Sequence, residues 1–268
     1  MKKLCCLSLA LLLLFALCAC GGGEAAPEEY VQYHVLSRYV RQSTGDVSVT
    51  EYGYDEDWLP RHTETLLNGN FASAVDYVYS EDKTQLTMNY SSALYEPHST
   101  QQELDFDEQG KLRKAAVIEN GETTAVSEYF YDEFGREIKV VSAVPGAYES
   151  VLERSYDENG KLLCYSVDTG YSHSREEYSY DDTGRLVSVS YYQNDELESV
   201  TDYSHEANVR YGTVCDEAGT VLSTLMEVLD GAGNVLECER YNAQGDLQSY
   251  TCTVYAGTDG SISGELPE

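Results

Sequence analysis

The sequence predicts an all-β protein, a long antiparallel meander in which each strand pairs with the next along the chain. Three observations predict this fold class. A motif of an aromatic residue, Asp, two variable residues, Gly, a basic residue and Leu recurs along the chain. Turn-forming residues recur about every 12 positions, which leaves strands of about 8 residues. Stretches such as Val187–Ser190 alternate apolar and polar residues, with the period of two that is typical of a half-buried strand.

Residues 1–19 are predicted to be a bacterial lipoprotein signal peptide. Lys2 and Lys3 precede an apolar run from Leu4 to Leu17, which is short for a membrane span but suits a secretory signal. The run leads into Leu17-Cys18-Ala19-Cys20-Gly21, which resembles a lipobox. This resemblance implies cleavage before Cys20, a lipid on its thiol, and anchoring to the extracytoplasmic face of a bacterial cell membrane. An ordinary cleaved signal peptide is the alternative.

Two segments follow the signal peptide. Residues 20–29 are predicted to be a flexible tether, because Gly21–Gly23 and a short run of small and acidic residues favour a mobile chain. Residues 30–268 are predicted to form one repeat domain, since the turn signals continue through them without a break in composition.

The recurring motif has the chemistry of a tight hairpin. Good copies begin at Phe106, Tyr131, Tyr156 and Tyr180. The Asp side chain is expected to accept hydrogen bonds from N–H groups within the turn, and the Gly to adopt the left-handed conformation of a bulged turn. The basic residue after the Gly is expected to face the Asp across the hairpin. The structural turn residues predicted in this way are Asp107, Gly110, Asp132, Gly135, Asp157, Gly160, Asp181 and Gly184.

The number of turns constrains the shape of the sheet. Turn signals from Gly45 to the region of Gly260 predict about 19 strands, which would make a flat sheet roughly 90 Å wide. Open sheets seldom exceed ~10 strands without curling or splitting. We therefore expect one sheet that curls or spirals into an open shell, or that folds into two facing layers. Polar residues interrupt both strand faces, which argues against a transmembrane barrel.

The motif resembles the YD repeats of the Rhs family and of the related animal teneurins. The resemblance extends from about Tyr52 to Leu247 and is strongest from Phe106 to Leu186. It implies a sheet that spirals into a hollow shell, often around a toxic C-terminal segment, and a link to carbohydrate binding and adhesion. Because 268 residues are too few for such a closed shell, we expect a small surface lipoprotein built from the same repeat.

Composition points to a binding protein. The chain carries 17 Lys and Arg against 47 Asp and Glu, a net charge of −30, which argues against nucleic acid as a partner. Its 24 tyrosines can stack on sugars, and its acids attract cations. We expect a lipid-anchored binding or adhesion module for a glycan or a cationic peptide. The alternative is a structural or assembly partner in the envelope or in a secreted system, without a small ligand. The candidate ligand-binding residues are Tyr129, Tyr131, Tyr178, Tyr180, Tyr191 and Tyr192.

No catalytic or metal-binding pattern stands out in the sequence. The five histidines lack the spacing of a metal site, and no nucleophile motif is complete, so we expect no enzyme activity, cofactor or metal. Four cysteines remain after processing. Both a pair of disulfides, in any of three pairings, and four reduced thiols are compatible with the sequence. These cysteines are Cys164, Cys215, Cys238 and Cys252.

The lipobox prediction is tested by replacing Cys20 with Ala. The variant loses the acceptor thiol, so we expect it to leave the membrane fraction, which fractionation and immunoblotting of the expressing cells would measure. A Cys18→Ala variant serves as the control and should stay membrane-bound. A Cys20→Ala protein that still sediments with membranes would contradict the lipid anchor.

Overall fold

A computed structural model describes residues 33–144, 146, 149–257 and 260–267. The predicted signal peptide and tether, including Cys20, lie outside the described residues. The described chain consists of strands joined by turns, which confirms the all-β prediction. In this part of the chain there is no helix of the length and hydropathy needed to cross a membrane.

Nineteen strands follow one another along the chain, nearly all of them 7 to 11 residues long. Their bounds are β1 Tyr33–Gln42, β2 Val47–Tyr54, β3 Pro60–Leu67, β4 Asn70–Tyr79, β5 Gln85–Ser92, β6 His98–Phe106, β7 Leu112–Glu119, β8 Glu122–Tyr131, β9 Glu137–Ala143, β10 Glu149–Tyr156, β11 Leu162–Asp168, β12 His173–Tyr180, β13 Leu186–Gln193, β14 Glu196–Glu206, β15 Val209–Cys215, β16 Val221–Leu229, β17 Val235–Asn242, β18 Leu247–Gly257 and β19 Ile262–Ser263.

The sheet closes on itself, so the predicted open, curled or spiralling sheet is wrong. Each strand pairs antiparallel with the next, and β1 also pairs antiparallel with β18, with Val40 opposite Thr251 and Arg41 opposite Tyr250. The fold is therefore a closed antiparallel β-barrel of 18 strands, with the two-residue β19 added at the end of β18. A twisted sheet of this length has to curl, and closure is favoured over an open shell because it also removes both exposed edges.

The hairpins alternate between the two ends of the barrel. The first rim carries the turns at Asp55, Asp107, Asp132, Asp157, Asp181 and Asp230, and the second rim carries the turns at Gly45, Gly69, Gly121, Gly170, Gly219 and Gly245. Because β1 runs from the first rim to the second and β18 runs back, the start of β1 and the end of β18 both lie at the first rim. Eighteen strands spaced ~4.8 Å apart require a barrel diameter of roughly 27 Å before strand tilt is added.

The two faces of the wall differ in burial. Register and alternation place the well-buried side chains Tyr77, Leu86, Leu104, Tyr129 and Val140 on one face. Side chains converge on the concave side of a curved sheet and diverge on its convex side. The more buried face is therefore the inner wall of the barrel, and the opposite face is the outer wall.

One arc of the inner wall is an apolar core. Tyr77, Leu86, Met88, Leu104, Ala115, Tyr129 and Val140 form a buried cluster that runs across β4 to β9. Burying apolar side chains is the main favourable contribution to folding, at ~25 cal/mol per Å². The stability of the barrel is therefore concentrated in this arc, and the remainder of the inner wall is left to more polar side chains.

The outer wall carries most of the acidic residues of the strands. Register places Glu51, Glu64, Asp76, Glu128, Glu153, Glu177, Asp202, Glu237 and Glu239 on this face. Such a surface differs from the apolar band that a barrel presents to lipid. The negative charge of the chain is thus displayed outward, away from the inner wall.

Substitution of Gly160 tests the left-handed backbone conformation on which the first-rim hairpin turns depend. The Gly160 φ of 84° is costly for a residue with a Cβ, so Gly160→Ala should lower the free energy of unfolding by ~1–2 kcal/mol. Urea unfolding followed by circular dichroism would measure the change. Gly231→Ala is the matched control, because Gly231 also lies in a first-rim turn but has no atoms near an added Cβ and no positive φ. Equal stability of the two variants would contradict the left-handed role of Gly160.

Candidate functional site

The Asp of each predicted turn organises the hairpin through its own side chain. Asp157 Oδ1 accepts hydrogen bonds from the N–H groups of Asn159 and Lys161, both at 2.8 Å. Asp107, Asp132 and Asp181 accept equivalent pairs of bonds. The Lys111 N–H holds the pKa of Asp107 below its ordinary value, and the Thr183 hydroxyl does the same for the pKa of Asp181. The glycines of these turns, Gly110, Gly135, Gly160 and Gly184, have φ between 79° and 84°.

The basic residue of three of the four turns reaches the next repeat, a contact that the sequence did not suggest, whereas Arg185 pairs with Asp181 of its own turn at 2.9 Å. Lys111 Nζ lies 5.4 Å from the ring centre of Tyr131, and Lys161 Nζ lies 5.3 Å from that of Tyr180. The Arg136 guanidinium pairs with Asp132 of its own turn at 2.6 Å and also lies 4.7 Å from the ring centre of Tyr156 in the next repeat. Cation–π contacts therefore link consecutive repeats along the first rim.

The aromatic residue of the motif ties together the strands of consecutive repeats. The hydroxyl of Tyr131 donates to the Leu112 carbonyl at 2.9 Å, and the hydroxyl of Tyr180 donates to the Leu162 carbonyl at 2.9 Å. His205, near the first-rim end of β14, makes the corresponding bond to the Leu186 carbonyl at 2.7 Å. These carbonyls lie where the backbone ladder between the two strands has already ended. The tyrosine hydroxyl therefore supplies the hydrogen bond that the backbone no longer makes.

These contacts separate the predicted ligand-binding tyrosines into those with structural roles and those that a ligand could reach. Tyr131 and Tyr180 use both the ring and the hydroxyl within the barrel. Tyr129 belongs to the buried core, and burial raises its pKa to about 12. Tyr192 lies on the outer wall, where Arg175 approaches its ring centre to 4.4 Å. Among the six, Tyr178 and Tyr191 remain as half-buried side chains on the polar part of the inner wall.

Tyr178 and Tyr191 belong to a set of five side chains that we name the inner patch: Tyr165, Glu176, Tyr178, Tyr191 and Gln193. Register aligns Tyr165, Glu176 and Tyr191 side by side on β11, β12 and β13. The Tyr178 hydroxyl donates to Glu176, and the Tyr191 hydroxyl donates to Gln193 Oε1 at 2.7 Å. Aromatic rings are thus held rigidly beside a carboxylate and an amide, which are the groups that recognise hydroxyl-bearing ligands.

The surroundings of the inner patch fix its shape and charge. Gln193 Nε2 donates to the His173 carbonyl at 3.1 Å, so the amide has one orientation. Arg154 lies 5.6 Å from the Tyr165 ring centre and forms an ion pair with Glu137. Burial raises the pKa of Tyr165, which keeps its phenol protonated over the physiological range. The patch therefore offers neutral donors and one carboxylate.

An open groove joins the inner patch to the first rim. It lies between the hairpins at Asp157 and Asp181 and has a volume of about 540 Å³. Tyr178 and Leu163 provide its apolar surface, and Asn159 adds a polar side chain. Tyr178 lines the groove and belongs to the patch, so the two lie next to each other on the inner wall near the first rim.

The described cysteines and other titratable side chains form no disulfide and no metal-binding cluster. The four cysteines are free thiols, and neighbouring Cys238 and Cys252 lie on opposite faces of the wall. Burial raises the pKa of Cys252, which disfavours the reactive thiolate. Within the described ranges, no group of three or more His, Cys, Asp or Glu side chains is placed to hold a metal ion.

Comparisons with known proteins give remote structural likenesses, among them the two that follow. No family model and no curated protein matches the chain. A TcdB2–TccC3–Cdc42 structure is 10% identical with a TM-score of 0.37, and the match covers 77% of this chain and 15% of that one. A porin-like protein from Bacteroides uniformis ATCC 8492 is 12% identical with a TM-score of 0.43, over 85% of this chain and 98% of that one. Both TM-scores lie below 0.5, which leaves the barrel's own geometry as the guide to function.

Tyr131→Phe tests whether the motif tyrosine has a structural role. The variant keeps the ring but leaves the Leu112 carbonyl without its donor, so we expect a loss of ~1 kcal/mol in the free energy of unfolding. Tyr211→Phe, an exposed outer-wall tyrosine, is the control and should be neutral. Urea unfolding would measure both variants, and unchanged stability in Tyr131→Phe would show that the hydroxyl bond contributes nothing.

Proposed function

We propose that this protein is a lipid-anchored extracytoplasmic binding module that holds a glycan on the inner wall of its barrel. The inner patch carries the proposal, because it combines two accessible tyrosines with a carboxylate and a fixed amide. Sugars present apolar C–H faces and rings of hydroxyl groups, and these fit aromatic planes flanked by planar hydrogen-bonding groups. The lipid anchor predicted at Cys20 would hold the protein on the extracytoplasmic face of the membrane, and this location is part of the proposal.

Hydrogen bonds already hold side chains of the inner patch in place, which favours a role in ligand binding over a role in core packing. Glu176, Tyr178, Tyr191 and Gln193 are each held by a hydrogen bond, so a ligand does not have to immobilise these side chains. The apolar core lies in another arc of the inner wall, which means that the patch tyrosines are not needed to complete that core. We propose binding without turnover.

A cationic peptide fits less well. The acids that would attract it lie mainly on the outer wall, spread over many strands. The assembly alternative is favoured by a different observation, the exposed apolar side chains at the second rim. Leu94, Tyr95 and Tyr171 are 83%, 71% and 76% exposed there, and such tips suit a protein partner.

The glycan proposal is tested with Tyr191→Ala and its neighbour Tyr192→Ala. Tyr191 lies in the patch, whereas Tyr192 points to the outer wall, so the two substitutions remove the same side chain from opposite faces. We expect Tyr191→Ala to weaken oligosaccharide binding about tenfold, the value of one stacked ring. Tyr192→Ala should bind as the unmodified protein does. Isothermal titration calorimetry over a panel of neutral and acidic oligosaccharides would measure both.

Two results would overturn the proposal. Equal weakening by both substitutions would place the ligand elsewhere or indicate a general loss of structure, which circular dichroism would identify. A folded protein that binds no member of the panel would favour the assembly alternative.

A further inference from the structure

Acids are absent from a broad arc of the inner wall, which is unexpected in a chain with 47 of them. Along β17, β18 and β1 to β6, none of the described strand residues that register assigns to this face is Asp or Glu. Besides Arg61, which pairs with Asp55 at 2.7 Å and lies over the Tyr79 ring, the face carries two exposed arginines among hydroxyl side chains. We name these residues the arginine arc: Arg38, Thr50, Arg240, Ser249, Thr251 and Thr253.

Register places the two arginines on either side of β18. Arg38 on β1 lies opposite Thr253, and Arg240 on β17 lies opposite Ser249. Two strand spacings and four residues along the strand separate their backbones, roughly 10 Å in one direction and 13 Å in the other. Thr251 lies between them on the same face, so long guanidinium side chains and hydroxyl groups share one surface.

The nearest acids are already engaged. Glu227 on the neighbouring β16 is buried and bonds Arg210 at 2.7 Å. At the second rim, Asp246 accepts a bond from Asn242 at 3.1 Å, and Asp46 accepts bonds from Thr44 and Asn68. Register therefore places no carboxylate on the inner face beside Arg38, and the inner-face acid diagonal to Arg240, Glu227, is already paired with Arg210.

We infer that the arginine arc binds the acidic groups of an anionic glycan, such as one with a carboxylate on each sugar. Guanidinium groups match carboxylates through paired hydrogen bonds, and the neighbouring hydroxyl groups suit the sugar oxygens. The inference rests on the proposed function and specifies its ligand class. The barrel wall separates the arc from the outer acids, whose repulsion is screened over about 8 Å at physiological salt.

The test compares Arg38→Gln and Arg240→Gln with Arg41→Gln. Arg41 lies three residues after Arg38 on β1 but on the outer wall, which makes it a matched control for the loss of one charge. The probes are a galacturonate hexamer, its carboxyl-reduced neutral counterpart and inorganic phosphate, titrated by calorimetry at 0.15 M salt. We expect each inner substitution to weaken hexamer binding about tenfold and Arg41→Gln to leave it unchanged.

Each outcome has one meaning. Equal weakening by Arg41→Gln, or no weakening by the inner substitutions, overturns the inference. Binding of the neutral hexamer alone also overturns it but leaves the proposed function standing, whereas failure of both hexamers in a folded protein counts against the proposed function as well. Phosphate binding that matches hexamer binding would show a simple anion site without sugar recognition, and would overturn the glycan part.

Discussion

The pairing of β1 with β18 is the constraint on which the rest of the structure depends. Without it, a meander of this length would present two long unpaired edges to water and to other chains. The seam converts it into a ring in which every long strand has two neighbours. Closure also creates an inside and an outside, and this distinction gives each side chain of the alternating strands its environment.

Within that ring, the repeat motif works across neighbouring hairpins. Its Asp and Gly shape one turn, its basic residue lies over the aromatic ring of the following repeat, and its tyrosine hydroxyl bonds back to the preceding one. Where a strand end lacks the motif tyrosine, another side chain can make the same hydrogen bond, as His205 does with the Leu186 carbonyl. The contacts between repeats along the first rim therefore require a side chain with a suitable hydrogen-bonding group rather than one particular residue type.

The inner wall is divided into arcs of different character. The core across β4 to β9 is apolar and buried, the inner patch on β11 to β13 is aromatic and hydrogen-bonding, and the arginine arc is cationic. The first arc supplies stability, which leaves the other two free of packing demands. The patch and the arc together suit an anionic carbohydrate chain, and the acidic outer wall keeps the barrel apart from other anionic surfaces.

The sequence by itself determined the strands, their antiparallel order and the positions of the turns. These follow from local chemistry, since an Asp-x-x-Gly corner such as that at Asp157 closes its hydrogen bonds within five residues. Only the tertiary structure decided that the sheet closes, because the β1–β18 seam joins residues some 200 positions apart by backbone bonds that any sequence can make. The tertiary structure also decided which candidate tyrosines are structural. Tyr131 lies at a strand end and bonds a carbonyl that the backbone ladder leaves without a partner, whereas Tyr191 lies mid-wall beside an amide.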